Sequence, residues 1–427
     1  MTEAVGSMVR TTERGEGPAA GRDASGPAGA HDQDGKPAAA SAGSPSDDPA
    51  RLRRERRATA VRNAERLLAR PGHLGTLRQR LALLDGVEDL YDLDETADVY
   101  GSGVVAALEE KVAGLLGKEA AVFFPTGTMA QQVALRCWAG RTGNNTVALH
   151  ALAHPEVHER NAFSEVGGLR PVRLTGEPRM PTADEVRDFE EPFGALMLEL
   201  PLRDAGFVLP SFEELTEVVR AAHERDAVVH FDGARLWETT VHFGRPLAEI
   251  ADLADSVYVS FYKSLGGYSG AAVAGPRTLM EEARTWRHRY GGMVFEQFPA
   301  VLAALAGLER ELPRLPEYVR QARRVAAALH EGFAAAGVPW ARVRPAEPHT
   351  HEFRVWLPYD AEVLLEAALR QGEETGTLLF TDHWDGVCPG LAFTEVSVRA
   401  EGLSWTADEV KTAVAEFVRR LPGTARG

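Results

Sequence analysis

Short apolar segments alternate with amphipathic helical patterns through the middle of the chain. Helical spacing is clear in VAALEEKVAGLLG (105–117), which ends at a glycine, and in FEELTEVVRAAHER (212–225). Apolar runs separated by helices are typical of a mostly parallel sheet covered on both faces. The pattern therefore predicts an α/β core across roughly 100–280. The apolar runs are AAVFFP (120–125), TVALH (146–150), GALMLEL (194–200), AVVHF (227–231), SVYVSF (256–261) and GAAVAG (270–275).

The chain on either side of this core has other patterns. Residues 1–50 are rich in Gly, Ala, Pro, Ser and Asp and cannot bury enough apolar surface to offset their ordering entropy. Residues 301–337 have helical spacing, and beyond them short strands and a last helix are predicted. We therefore predict a disordered arm over 1–50, N-terminal helices with a large domain over 51–312, and a small C-terminal α+β domain over 313–427.

Composition narrows the class of protein. The formal net charge of −15 argues against nucleic-acid binding, so the basic stretch Arg51–Arg57 is interpreted as a solvated helix face. Two cysteines, Cys137 and Cys388, are too few for a disulfide framework and favour a reducing cytoplasm. No apolar run reaches the roughly 20 residues that a membrane span needs. These features predict a cytoplasmic protein without a membrane or nucleic-acid partner, and no metal-ligand spacing stands out.

Candidate chemistry lies directly after the apolar runs, because ligands of open α/β sheets gather at the carboxyl ends of the strands. After AAVFF come Thr126, Gly127 and Thr128, followed by a helix whose positive end favours a phosphate. Thr126 could equally be a simple N-cap. After AVVHF comes Asp232, which could cap the next element or bind a ligand. After SVYVSF comes Lys263, a residue type that rarely ends such a strand without a reason.

A phosphate cradle, a carboxylate and a lysine form together the set that pyridoxal phosphate needs. The phosphate takes the helix N-terminus, and the carboxylate keeps the pyridine nitrogen protonated. The lysine forms the Schiff base. The combination is far more specific than any one of the three segments.

The motifs FFPTGTMAQQVAL, HFDGARLWE and VSFYKSLGG resemble those of the threonine aldolase and β-eliminating lyase family. The resemblance implies an aspartate-aminotransferase-type fold, with a mostly parallel seven-stranded sheet and a smaller C-terminal domain. It implies that Lys263 carries pyridoxal phosphate, that Asp232 pairs with the pyridine nitrogen and that Arg235 lies near the phenolic oxygen. Phosphate binding is implied for Thr126, Gly127 and Thr128.

The family also places a histidine over the cofactor ring. Ala153-His154 fits that position, with Glu159 at the usual following acidic position, and His158 is the competitor. An imidazole offers a flat face for stacking and a group for proton transfer. We therefore expect His154 to be a catalytic and cofactor-binding residue.

Two departures from the family concern the substrate. The usual Asn-Thr-His segment after the strand matching GALMLEL is absent, and the chain has Glu199-Leu200-Pro201-Leu202-Arg203-Asp204 instead, without that histidine. Glu395 stands where an arginine for the substrate carboxylate is expected. Strand alternation places Arg399 on the same face as Glu395, so Arg399 could bind that carboxylate, or it could face outward.

The reaction that the resemblance implies is cleavage of a β-hydroxy-α-amino acid to glycine and an aldehyde. The alternatives are β-elimination or aldol transfer on another amino acid, and a catalytically silent ligand-binding protein of the same fold. Family members place their sites between subunits, so a homodimer or homotetramer is implied.

Overall fold

The computed structural model describes residues 49–69, 75–338 and 340–423. Leu52–Gly427 forms one compact unit. The predicted disordered arm over 1–50 lies almost entirely outside the described residues, and the predicted boundary near residue 313 stays a prediction. Within the described ranges, no helix is both long and apolar enough to cross a membrane.

Thirteen strands are present in the described part of the chain. They are β1 (Arg66–Leu67), β2 (Ala120–Phe124), β3 (Thr146–Leu149), β4 (Arg170–Arg173), β5 (Ala195–Glu199), β6 (Val228–Gly233), β7 (Ser256–Ser260), β8 (Ala271–Gly275), β9 (Arg342–Arg344), β10 (Glu352–Leu357), β11 (Thr377–Leu378), β12 (Asp385–Cys388) and β13 (Leu391–Ser397).

Fifteen α-helices accompany these strands over the same ranges. They are α1 (Pro49–Asn63), α2 (Leu77–Leu81), α3 (Val104–Leu116), α4 (Gly127–Thr142), α5 (His154–His158), α6 (Ala162–Glu165), α7 (Ala183–Arg187), α8 (Phe212–His223), α9 (Thr240–Phe243), α10 (Leu247–Asp252), α11 (Arg277–Arg289), α12 (Phe298–Arg310), α13 (Leu315–Ala335), α14 (Ala361–Thr375) and α15 (Ala407–Val418).

The large sheet has seven strands in the order β2-β8-β7-β6-β5-β3-β4. Only β8 runs antiparallel to its neighbours, so the predicted mostly parallel α/β sheet is confirmed. Five of its strands, namely β2, β3, β5, β7 and β8, are buried along their whole length, because apolar clusters cover both faces. The carboxyl ends of the six parallel strands consequently meet at one edge.

The edge strand β4 is the part of this sheet that the hydrophobic pattern did not predict. Its sequence, Arg-Pro-Val-Arg, has no apolar run, and both of its arginines are exposed. An edge strand pairs on one side only and tolerates proline and charge. The seventh strand therefore has no sequence signal of the kind that marks the other six.

The C-terminal domain is built on a four-stranded antiparallel sheet in the order β12-β13-β10-β9. Helices α13, α14 and α15 enclose a second apolar core with this sheet. The basic face of α1 binds this domain: Arg56 forms ion pairs with Glu366 and Glu373 of α14, and Arg57 pairs with Asp382. Arginines of the basic stretch therefore form ion pairs with acidic residues of the C-terminal domain.

Candidate active site

Lys263 lies in a tight turn just beyond β7. Gly266 has a φ of 71°, and a Cβ at Gly267 would lie 2.8 Å from the carbonyl oxygen of Phe261, so both glycines are needed for the turn. The Arg80 guanidinium donates to the carbonyls of Gly266 and Gly267 at 3.1 and 2.8 Å. This turn carries the lysine to the edge of the sheet where the parallel strands end.

Asp232 lies on the neighbouring strand β6 and is only 2% exposed. Its Oδ1 accepts the N–H of Ala234 at 3.1 Å, and no group in the described part of the chain donates to Oδ2. Burial raises the pKa of Asp232, and the positive charges of Lys263 and His154 oppose that rise. The carboxylate is therefore held in the interior without a cation bonded to it.

The Lys263 amine also lacks a bonded partner among the described residues. Burial and, after it, the positive charge of Arg235 lower the pKa of Lys263 to about 8, against the attraction of Asp232. Within the described ranges this amine has no hydrogen-bond acceptor and no ion-pair partner. A lysine that titrates near neutrality, beside a carboxylate with a free oxygen, is suited to bond covalently to a carbonyl compound.

Arg235 follows Asp232 and is held by the C-terminal domain. Its guanidinium forms an ion pair with Glu352 on β10 and lies 5.2 Å from the ring centre of Phe207. Burial opposes ionisation of Glu352, but Arg235, together with the positive charges of His351 and Arg399, lowers the pKa of Glu352 to about 2. Ser397 donates to the other Glu352 oxygen at 2.9 Å. Arg235 is thus a charged, tethered group at the site.

His154 and His158 have different partners. His154 Nδ1 lies 3.3 Å from Glu159, which also accepts the Thr128 hydroxyl at 3.0 Å. His158 Nε2 lies 2.7 Å from Asp204. The two rings are 5.1 Å apart, and His154 is the one whose charge acts on Asp232. The geometry favours His154 as the histidine that faces the carboxylate.

In the first turn of α4, both threonine hydroxyls have partners within the protein. The Thr126 hydroxyl caps Met129 N–H at 3.3 Å, as the simpler interpretation allowed, and the Thr128 hydroxyl is bonded to Glu159. The N–H groups of Gly127 and Thr128 have no acceptor among the described residues, and a Cβ on Gly127 would collide with the Tyr258 hydroxyl. The backbone therefore offers the anion-binding donors.

These groups fit a phosphorylated, ring-containing cofactor. A buried Ser264 hydroxyl without a partner in the described ranges adds a donor next to Lys263. In the same ranges no group of three His, Cys, Asp or Glu residues could hold a metal ion. The free Asp232 oxygen, the free Lys263 amine and the free N–H groups of α4 are the three contacts that pyridoxal phosphate requires.

A cavity of about 550 Å³ opens beside Lys263, between the large sheet and the C-terminal domain. Arg399 lies after the end of β13, lines this cavity and donates to the Lys263 carbonyl at 2.7 Å. Of the two orientations that strand alternation left open, the inward one is therefore observed. Glu395 also lines the cavity, and both of its oxygens are taken, by Arg203 and by Arg354, each at 2.9 Å.

Sequence reasoning missed two buried glutamates of this site. Glu199 ends β5 in the way Asp232 ends the apolar part of β6, and Glu352 begins β10. A carboxylate directly after an apolar run was a usable signal for Glu199. Nothing local marks Glu352, because its partner Arg235 is distant in the chain.

Comparison with known proteins finds a matching family and several relatives that are named threonine aldolases. The β-eliminating lyase family model matches residues 91–357. The chain is 32% identical over 244 residues to the low specificity L-threonine aldolase of Escherichia coli, covering 56% of this chain and 72% of that protein. It is 28% identical over 298 residues to low-specificity L-threonine aldolase 1 of Arabidopsis thaliana, covering 66% and 80%.

A solved structure extends the likeness over nearly the whole chain. A candidate L-allo-threonine aldolase from Listeria monocytogenes has a TM-score of 0.77 and 32% identity, and the match covers 86% of this chain and 100% of that chain. The family match includes Asp232 and Lys263 and stops before Glu395 and Arg399. The chain therefore belongs to the β-eliminating lyase family of pyridoxal-phosphate enzymes, together with the threonine aldolases.

Proposed function

We propose that this protein cleaves the Cα–Cβ bond of a threonine-like β-hydroxy-α-amino acid to give glycine and an aldehyde. The observation that carries the proposal is the pair of uncommitted groups, the Lys263 amine and the Asp232 carboxylate, with His154 beside them. The relatives named threonine aldolases support the same reaction.

Each contact of the cofactor has a residue suited to it. The Lys263 amine would hold the cofactor at its carbonyl carbon, Asp232 Oδ2 would accept the pyridine N–H, and the free N–H groups of Gly127 and Thr128 would donate to the phosphate. When bound, pyridoxal phosphate supplies an electron sink for the charge left on Cα. Arg235, tethered by Glu352, is the cation available to the phenolic oxygen.

His154 is the proposed base for the β-hydroxyl proton. With Nδ1–H directed to Glu159, the Nε2 lone pair is free to accept that proton. The Thr128 hydroxyl bonds to the same Glu159 oxygen and limits its movement. Glu159 also stabilises the imidazolium that forms, because its side chain is almost fully buried beside the ring.

Arg399 is proposed to bind the substrate carboxylate. We expect Arg399→Lys to raise KM by about 10-fold, with a smaller change in kcat, because lysine keeps the charge but loses the bidentate fork. The near-visible band of the lysine-bound cofactor reports whether the Lys263 turn is intact. If KM does not change in Arg399→Lys and rises in Arg203→Lys, then Arg203 is the anchor.

Product analysis tests the reaction itself. The cofactor-saturated protein, incubated with L-threonine or L-allo-threonine, should release glycine and acetaldehyde in equal amounts. A 2-oxo acid with ammonia would instead indicate β-elimination, the alternative that the family name and the glutamate at position 395 favour. Absence of every product from a range of β-hydroxy amino acids would leave a ligand-binding protein.

A homodimer or homotetramer with sites at the interface is also proposed. Val99, Tyr100, Val294 and Phe295 form an exposed apolar patch, in which the two aromatic rings lie 5.4 Å apart. A second copy of the chain is the proposed partner of this patch. Light scattering would then give a molar mass of two or four times 46.3 kDa, whereas a mass of 46.3 kDa would contradict the assembly.

A further inference from the structure

Glu199 is a buried carboxylate to which the proposed reaction gives no role. It ends β5, is 6% exposed, and pairs in register with Asp232 on β6. Neighbouring strands lie roughly 4.8 Å apart. Two acidic side chains therefore occupy adjacent strand ends in the interior, where a second negative charge is disfavoured.

Backbone groups, rather than a cation, satisfy Glu199. Its Oε2 accepts the N–H of His154 at 2.7 Å, and its Oε1 accepts the N–H of Arg203 at 3.2 Å. No side chain in the described part of the chain forms a hydrogen bond or an ion pair with it. One carboxyl group thus joins the segment that presents His154 to the segment that presents Arg203.

Charged groups surround Glu199 on several elements. Burial and the negative charge of Asp232 raise the pKa of Glu199 to about 7, and the N–H and the charge of His154 oppose this rise. Glu199 in turn acts on Lys263 and Arg235. When two such acids lie side by side, they lose their protons in separate steps.

We propose that Glu199 is a positioning residue of this site. It fixes the His154 segment, and it stays protonated, so that Asp232 is the single ionised acid of the pair. The assignment rests on the proposed roles of Asp232 and His154. A neutral Glu199 keeps its oxygens as acceptors for the two N–H groups. Ionisation of Glu199 would place a second negative charge beside Asp232 and make the ionised form of Asp232 less favourable.

The sign of the pH dependence follows from the raised pKa. The folded protein holds the Glu199 proton up to pH of about 7, whereas the unfolded chain releases it near the ordinary value of 4.5. The folded state therefore binds more protons in this window, so the stability contributed by protonated Glu199 falls as pH rises through it. The contribution of protonated Glu199 to stability is complete at a pH below 4.5, the ordinary pKa of glutamate, and is lost at a pH above about 7.

Glu199→Gln tests the proposal, because glutamine is close in size to the protonated acid and cannot ionise, although its single amide oxygen accepts only one of the two N–H groups. In the full-length holoenzyme, the melting temperature of the variant minus that of the wild type should increase by a few degrees between about pH 5 and pH 8. The fall of wild-type kcat/KM above about pH 7 should be absent from the variant. Glu199→Ala, which loses both acceptors, should lower kcat on the order of 10²-fold.

Two results would overturn the assignment. A Glu199→Gln protein whose melting temperature follows the wild-type pH dependence would show that Glu199 is not the titrating group. A variant that binds cofactor normally but lacks turnover at every pH would show that a charged Glu199 is required. The melting measurement needs no substrate, so it separates this proposal from failure of the proposed reaction.

Discussion

Replacement of Lys263 by alanine is expected to reduce turnover by at least ~10³-fold, because covalent attachment and the proton transfers of the amine are both lost. The fold should survive the change. The amine has no hydrogen-bond partner within the described ranges, and burial lowers its pKa to about 8, so its charge is unfavourable where it lies. The melting temperature of the cofactor-free variant should therefore equal or exceed that of the wild type.

Lys118→Ala is the matched control for this prediction. Lys118 is another partly buried lysine whose pKa burial lowers, but it donates to the Ala254 carbonyl at 2.7 Å and lies away from the cavity. The control should lose stability and keep its turnover, the opposite of Lys263→Ala.

Borohydride reduction followed by peptide mass analysis should add the cofactor mass to the Lys263 peptide. Modification of another lysine would contradict the assignment.

The sequence is most informative where a charged residue stands at the end of a buried apolar run. Asp232 and Lys263 each stand near the end of an apolar run, where a charged side chain is costly unless it has a partner or a role, and the structure places them on neighbouring strand ends. The same logic, applied to the end of GALMLEL, points to Glu199. The six apolar strands follow from continuous hydrophobic runs, whereas β4 does not, because a polar edge strand has no such signal.

The remaining features of the site depend on distant contacts that no local pattern encodes. Thr126, Gly127 and Thr128 were located correctly at the α4 N-terminus, but which of their groups stay free depends on Glu159. Alternation could not orient Arg399, because β13 ends at Ser397 and the chain leaves the strand before it. The partners of Glu395 come from two separate segments, at Arg203 and Arg354.

Glu395, which stands where the family pattern has an arginine, accepts hydrogen bonds from two arginines of this chain. An arginine at this position would meet two other arginines, whereas the glutamate accepts a hydrogen bond from each. Arg354 continues the network to Asp204, which also binds His158. The departure from the family pattern is therefore part of a complete charge network that joins the large sheet to the C-terminal domain.

Asp232→Asn is expected to have opposite effects on turnover and on stability. Turnover should fall on the order of 10²–10³-fold, the range for removing one preorganised electrostatic contact, because the pyridine nitrogen loses the charge that keeps it protonated. The cofactor-free protein should become more stable, since asparagine keeps the acceptor for the Ala234 N–H and removes a buried charge without a cation.

The pH dependence and a control make this prediction specific. Because burial raises the pKa of Asp232, the gain from asparagine should be largest above that raised pKa and should vanish as pH falls through the ordinary aspartate range. Asp255→Asn is the control, since Asp255 lies just before β7, is partly exposed and pairs with His223 at 3.1 Å, a charge interaction that asparagine loses. It should lose stability and keep turnover. A cofactor-free Asp232→Asn protein that melts below the wild type would show that this carboxylate supports the fold rather than the cofactor.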